Sequence, residues 1–190
     1  MDSGNIGFVL LCAAFVFVMT PGLAMFYGGL VRKKNVVNTM MTSIFIIGVG
    51  IVMWVLFGYS LSFAPSGNVF IGDFRWLGLE GVSLTEGYTD DASIPNMVFS
   101  AFQMMFAVIT PALITGAVAG RMKFKSIFVF TIFWSLIVYY PLAHMVWGQG
   151  GLLGADGIGA LDFAGGDVVH ISSGVSALVL CILLGKRHDY

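Results

Sequence analysis

The stretch Asp162-Phe-Ala-Gly-Gly-Asp-Val-Val-His170 begins an otherwise apolar segment, residues 161–185, that is long enough to cross a lipid bilayer. If this segment is helical throughout, His170 lies eight residues below Asp162, or roughly 12 Å at a rise of about 1.5 Å per residue. The hydrocarbon core of a bilayer is about 30 Å thick, so the sequence predicts His170 close to the membrane midplane. An ionisable ring at that depth is costly and therefore indicates a functional site.

Five stretches of the chain lack Lys and Arg and are long and apolar enough to span a membrane as helices. They comprise residues 6–31, 40–63, 95–120, 126–148 and 161–185. Of the 190 residues, 58% are hydrophobic and only 10% are charged, a composition far from that of a soluble domain. The predicted fold class is an all-α polytopic membrane protein with five transmembrane helices.

The basic residues predict how the chain is oriented in the membrane. Of nine Lys and Arg residues, all except Arg75 follow the first, third or fifth predicted span. Because basic residues concentrate on the cytoplasmic side, the N-terminus is predicted to lie outside and the C-terminal end, Tyr190, in the cytoplasm. Five is an odd number, so a second tandem copy of this unit would enter the membrane inverted. Inverted repeats with a site between them are common in transporters.

Two residues of the fifth span have a structural and a functional interpretation. His170 is either a buried neutral histidine, satisfied by a carbonyl or hydroxyl group, or a pore ligand or proton relay. Asp162 suits an N-cap, where an acid binds free N–H groups and complements the helix dipole. A capped carboxylate stays ionised and projects negative potential, so the cap is compatible with a cation site.

Aromatic residues on three other spans also allow two interpretations. Phe102 and Phe106 are one helical turn apart on the third span and form either a core or lipid-facing stripe, or part of a pore. Trp147 ends the fourth span, where it suits an interfacial aromatic belt or a cation–π contact with a small cation. Tyr27, in the inner part of the first span, is interpreted as a packed residue with its hydroxyl group bonded.

The sequence contains no pattern that indicates an enzyme. It has no nucleophile elbow, HExxH or Walker loop, and Ser172 and Ser173 share a helix with His170 without an orienting carboxylate. Cys12 and Cys181 lie inside predicted spans, so neither a disulfide framework nor a metal site is indicated. We therefore predict no catalytic residue, cofactor or metal. A cluster of basic residues suited to nucleic acid is also missing from the sequence.

Four ordered motifs resemble the Amt/Mep/Rh family of ammonium transporters, and its Amt branch in particular. They are Thr20-Pro-Gly-Leu-Ala-Met-Phe-Tyr-Gly-Gly-Leu-Val-Arg32 followed by Lys34-Asn35-Val36, Phe102-Gln-Met-Met-Phe106, Ala143-His-Met-Val-Trp-Gly148 and Asp162-Phe-Ala-Gly-Gly-Asp-Val-Val-His170. The resemblance covers the whole chain and matches the predicted topology.

This resemblance implies an ammonium channel in the cell membrane with an outer recruitment site and a gated pore. Trp147, Phe106 and Asp162 would belong to the recruitment site, with Asp162 mainly giving structural and electrostatic support. Phe106 would also be one of two stacked gate rings, with Phe102 beside it. His170 would be the first of two pore histidines, and Tyr27 would line the inner pore. Deprotonation of ammonium would let neutral ammonia continue through an apolar pore.

The resemblance also implies partners and a missing part. Family members form trimers of eleven-helix protomers, each with a pore between two inverted five-helix halves, and a cytoplasmic PII-type regulator is a further implied partner. The second pore histidine, second gate phenylalanine and site serine have no counterpart in the sequence, so we expect this chain to be the N-terminal half of a longer protein. The alternative function is an ammonium sensor that signals through a cytoplasmic domain, which the chain beyond Tyr190 would distinguish. Asp167 is a departure, because a neutral residue is expected there in many relatives.

Overall fold

Five long helices make up the fold. The computed structural model describes residues 1–65, 68–155 and 157–187, and these residues contain no β-strand. The helices that are long and apolar enough to span a membrane are α1 (Ser3–Gly29), α2 (Lys33–Phe63), α3 (Asn96–Val118), α4 (Phe124–Trp147) and α5 (Gly166–Leu184). The predicted all-helical membrane class with five spans is confirmed. Tyr190, which the topology prediction places in the cytoplasm, lies outside the described residues.

Two predicted helix starts are wrong by more than one turn. The second helix begins at Lys33 rather than residue 40, and the fifth begins at Gly166 rather than residue 161. Apolar composition predicts the part of a helix that can lie in hydrocarbon, whereas a helix can continue into polar residues beyond it. At the fifth helix the Asp162 side chain sets the start instead, because it binds backbone N–H groups of residues 165–168. The other helix ends lie within three residues of the predicted bounds.

Helix α3 lies at the centre of the bundle. It packs against α1, α2 and α5, while α4 packs mainly along the second half of α2. In the most apolar 18-residue stretch of α3, half of the residues are buried, compared with 11% in the corresponding stretch of α1. The residues of α1 that are buried are Ala13, Thr20, Ala24 and Gly28, which lie on one face at helical spacing. Small residues let helix backbones approach closely in lipid, so this stripe explains how α1 docks while its large side chains remain exposed.

Hydrogen bonds between polar side chains join the helices. Ser43 and Thr115 share a hydrogen bond of 2.8 Å between α2 and α3. The indole Nε1 of Trp134 on α4 donates to Ser176 Oγ on α5 over 2.8 Å. In an apolar interior such bonds satisfy groups that would otherwise be unpaired, and each adds a modest stabilisation between helices.

Three of the helices contain a short π-helical segment. These segments are Trp54–Gly58 in α2, Ser135–Tyr139 in α4 and Gly166–Ile171 in α5. We call the end of the bundle that holds the starts of α3 and α5 the outer end, and the opposite end the inner end, after the predicted topology. A π segment inserts one extra residue into a turn and turns the following side chains to a new direction, and it often occurs near functional sites. In α4 the segment precedes Trp147, and in α5 it contains His170.

Gly116 on α3 makes room for the Tyr27 ring of α1. A Cβ atom built on Gly116 would lie 2.6 Å from Tyr27 ring carbons, and the Tyr27 hydroxyl group donates to Leu113 O over 2.8 Å. We therefore expect Gly116→Val to displace the ring, break this hydrogen bond and destabilise the protein by about 1–3 kcal/mol. Thermal unfolding in detergent measures the effect. Gly48→Val in α2 is the control, because nothing lies within 4 Å of its Cβ position; equal losses from both variants would contradict the close packing.

Candidate functional site

Asp162 organises the loop that leads into α5. Its Oδ1 accepts hydrogen bonds from the backbone N–H groups of Gly165 and Gly166, at 2.6 and 2.8 Å. Its Oδ2 accepts from Asp167 and Val168, at 2.9 and 3.1 Å. Burial by itself would raise the pKa of this carboxyl group, but the four backbone donors hold the pKa below its usual range. Asp162 is therefore an ionised cap in the loop ahead of α5.

Gly165 gives this loop a conformation that other residues avoid. Its φ angle is +84°, in the left-handed region, and a Cβ atom there would lie 2.5 Å from Val169 Cγ2. Its carbonyl oxygen accepts from the N–H groups of Val169 and His170, at 3.0 and 2.9 Å. The Asp162 cap and the Gly165 turn together explain why α5 begins at Gly166.

The outer ends of α3 and α4 and the Asp162 loop enclose a largely aromatic cavity. Its volume is about 310 Å³, and the residues that line it are Phe99, Phe102, Gln103, Phe106, Trp147, Asp162, Phe163 and Ala164. The Phe106 and Trp147 rings meet edge to face with centroids 6.2 Å apart, and Phe102 meets Phe106 in the same way at 5.1 Å. Four of the predicted site residues thus line one cavity: Phe102, Phe106, Trp147 and Asp162.

Trp147 is oriented by a hydrogen bond across the cavity. Its Nε1 donates to the backbone oxygen of Asp162 over 2.9 Å, which connects the end of α4 to the loop before α5. Three residues earlier, the buried His144 ring lies 3.1 Å from Ser62 O and 3.0 Å from Asn68 O. His144 therefore links α4 to the end of α2 and to the loop that follows α2.

The outer loop between α2 and α3 supports the cavity from another side. Tyr88 stacks on Phe99 with ring centroids 4.8 Å apart and planes 8° from parallel. The backbone N–H of Gln149 donates to the Tyr88 hydroxyl oxygen over 3.0 Å, and Gln149 Nε2 donates to Tyr88 O over 2.9 Å. Burial raises the pKa of Tyr88 to about 12, so this hydroxyl group is protonated at neutral pH.

His170 does not line the aromatic cavity, and its predicted depth rests on a wrong assumption. The predicted 12 Å required a continuous helix from Asp162, but α5 begins at Gly166. Only four residues of helical rise separate Gly166 from His170, which is at most about 6 Å at the α-helical rise of about 1.5 Å per residue. The His170 side chain is exposed on the surface of the described chain.

Tyr27 lies in a second, inner cavity of about 250 Å³, together with Leu113, Gly116, Ala177 and Arg187. Ala177 is seven residues beyond His170 on α5, which places both on a similar face of that helix. The Tyr27 ring is half-buried and its hydroxyl group is bonded to Leu113 O, as predicted for a packed residue. The structure therefore separates the predicted residues into an outer aromatic group, an exposed histidine and an inner tyrosine.

Four lining residues of the outer cavity were not identified from sequence. Phe99 and Gln103 precede Phe106 by seven and three residues, so helical spacing along α3 could have placed them on its face. Phe163 and Ala164 lie beside Asp162 in a loop that was predicted to be helical. No sequence signal places those two residues in the wall, because the path of the loop depends on the Asp162 cap.

Five apolar helices define a polytopic helical membrane protein, in which α3, α4 and the loop before α5 form an aromatic cavity with an ionised aspartate at its edge. A family model described as Ammonium Transporter Family matches residues 7–190. The chain belongs to this family. The relatives that carry this description are transporters by name rather than enzymes.

Individual relatives show how much of a family member this chain represents. The ammonium transporter of Bacillus subtilis strain 168 is 53% identical over 189 residues, a match covering 100% of this chain and 46% of that protein. The crystal structure of Candida albicans Mep2 matches with a TM-score of 0.87 and 35% identity, covering 99% of this chain and 40% of that one. A structure described as a Sensor Amt Protein matches with a TM-score of 0.83 and 27% identity, over 97% and 45%. The chain thus spans about half the length of these relatives, as an inverted-repeat half would.

Proposed function

We propose that this chain is the N-terminal half of an ammonium transport protein, with the aromatic cavity as its outer recruitment site. The observation that carries the proposal is the convergence of Phe106 and Trp147 on the capped Asp162. Aromatic faces attract a small cation, and the contact strengthens when the cation is desolvated. The nearby ionised carboxylate of Asp162 adds negative potential to the cavity, while its oxygens remain bound to backbone donors.

The remaining site residues act further along the path in this proposal. Phe106, with Phe102 beside it, separates the outer cavity from an apolar route that a bare cation enters only at high cost. Ammonium transfers a proton to the His170 imidazole, which can both accept and donate a hydrogen bond and relays the proton inward. Neutral ammonia continues past this ring and regains a proton at the inner end of the route. Tyr27 lines the inner end of the route. The exposed His170 face of α5 is where the second half of the protein would pack.

The whole protein has further proposed properties that follow from its family. The full-length protein forms a homotrimer in the cell membrane, with a pore in each protomer. The N-terminus faces outward, and the chain after α5 faces the cytoplasm, because basic residues follow the first, third and fifth helices. A PII-type protein is the proposed cytoplasmic regulator.

A second candidate function is ammonium sensing. The similarity to a structure described as a Sensor Amt Protein favours it, since that protein has the same helical arrangement over 97% of this chain. The outer cavity would then bind ammonium and transmit occupancy to a cytoplasmic domain. Transport and sensing differ in one measurable quantity, because only a transporter moves ammonium or ammonia across a sealed membrane.

The experiment is ammonium-evoked current and ammonia flux with the full-length protein in liposomes. A current indicates net movement of charge. Alkalinisation of the liposome interior without a current indicates movement of neutral ammonia. We expect His170→Ala to reduce the current at least tenfold while ammonium binding at the outer site is retained, because that variant alters the route beyond the gate. Wild-type protein that binds ammonium but gives neither current nor flux would overturn transport in favour of sensing.

A further inference from the structure

Gln103 is one of the residues that line the aromatic cavity, and its side chain ends in an amide. It lies on α3 between Phe99 and Phe106, and both of those rings line the same cavity. Gln103 therefore adds hydrogen-bonding capacity to a wall that is otherwise formed mainly by aromatic rings.

The amide oxygen of Gln103 is unpartnered. Within the described part of the chain, Oε1 is buried, with less than 1 Å² accessible, and accepts no hydrogen bond. A buried acceptor without a donor is unfavourable, so such a group in a folded protein requires an explanation. The Gln103 side chain as a whole is only half-buried. Rotation about its last torsion, which is broad and roughly two-fold, exchanges the positions of Oε1 and Nε2.

The other polar side chains of the described cavity wall are already engaged. Both Asp162 oxygens accept backbone hydrogen bonds, four in all. Trp147 has a donor and no acceptor on its ring, and this donor binds Asp162 O. Gln103 is thus the polar side chain of this wall that retains an acceptor for a ligand.

We infer that Gln103 is a specificity-determining residue of the outer site, and that its amide oxygen accepts an N–H group of ammonium held against Phe106 and Trp147. This inference rests on the proposed function and deepens it. Aromatic faces attract small cations without regard to N–H groups, whereas a hydrogen bond requires a donor in a defined direction. The amide would turn its oxygen from the buried, unpartnered position towards the cavity when the cation binds.

The test uses full-length protein in liposomes, with the half-saturating ammonium concentration and the maximal flux measured separately. Gln103→Leu removes the acceptor and keeps a similar size, and Gln103→Met is a second variant of this kind. We expect both to raise the half-saturating concentration about tenfold, equivalent to about 1.4 kcal/mol, with the maximal flux within twofold of wild type. Gln103→Glu keeps oxygen acceptors at the same position and is expected to recover most of the lost affinity.

Three outcomes would overturn the inference, and they differ from one another. An unchanged half-saturating concentration in Gln103→Leu and Gln103→Met, alongside a raised one in Trp147→Leu, rejects the role of Gln103 and leaves the recruitment site intact. Equal losses in all three Gln103 variants, with lower unfolding temperatures in detergent, indicate a packing role instead. Absence of ammonium-dependent flux in the wild-type protein rejects the proposed function, and the inference falls with it.

Discussion

Replacement of Asp162 by alanine is expected to destabilise the head of α5 by about 2–4 kcal/mol, since it removes four backbone hydrogen bonds at once. The N–H groups of residues 165–168 would lose their acceptor, and the loop would no longer hold Gly165 in its left-handed conformation. Trp147 would lose the fixed position of its partner, Asp162 O. We therefore expect both a lower unfolding temperature and loss of ammonium flux.

Asp162→Asn separates the charge from the shape of this side chain. An amide has one oxygen, so its NH₂ group would face two of the four backbone donors. We therefore expect a loss of stability nearly as large as that for Asp162→Ala. Asp73→Asn is the matched control. That aspartate pairs with the exposed Arg75 at 2.8 Å in the outer loop, and an exposed pair contributes about 1 kcal/mol at most. Equal unfolding temperatures for Asp162→Ala and wild type would show that the cap is dispensable.

The Asp162 cap also predicts how stability depends on pH. Its pKa is lower in the folded protein than in the unfolded chain, so the unfolded chain binds the proton more readily. The stabilisation is fully present above the ordinary aspartate pKa of about 3.9 and is lost as pH falls through the lower folded value. Between pH 5 and pH 8, this carboxylate therefore contributes a constant stabilisation. An Asp162→Asn protein should lose less stability on acidification than wild type.

Trp147→Leu is expected to raise the half-saturating ammonium concentration about 10- to 30-fold. A desolvated cation–π contact contributes about 2 kcal/mol, and 1.4 kcal/mol corresponds to a factor of ten. Leucine keeps an apolar side chain at the end of α4 but offers no π face to the cavity beside Phe106. The measurement is the concentration dependence of ammonium-evoked current in liposomes containing the full-length protein.

Trp147→Phe is the matched control for this second prediction. Phenylalanine retains a ring face but loses the Nε1 donor to Asp162 O, so it isolates the hydrogen bond that orients the side chain. We expect an intermediate half-saturating concentration, nearer to wild type than to Trp147→Leu. If leucine and phenylalanine raise it equally, orientation rather than the π face dominates. If leucine leaves it unchanged, the cavity does not recruit the cation.

The membrane class and the number of helices were predictable because the required signal is local. A run of about 20 apolar residues spans a bilayer wherever it occurs in the chain, so each span is read from its own residues. The cap at Asp162 was also predictable, since an acid before an apolar helix favours the free N–H groups there. The depth of His170 in the membrane was not predictable from the sequence. The four backbone hydrogen bonds to the Asp162 side chain and the turn at Gly165 delay the start of α5. Apolar composition predicts neither of these features.

The outer cavity shows most clearly which features the sequence determines and which depend on the tertiary structure. The sequence alone determined that aromatic residues occur near the outer ends of two spans and that an aspartate precedes a third. Only the tertiary structure decided that the Phe106 and Trp147 rings meet with centroids 6.2 Å apart, that Trp147 Nε1 donates to Asp162 O, and that Gln103 lines the same cavity. Helical periodicity specifies which residues share a face, whereas helix rotation and the path of each loop depend on packing between distant segments. The site exists because α3, α4 and the loop before α5 pack together.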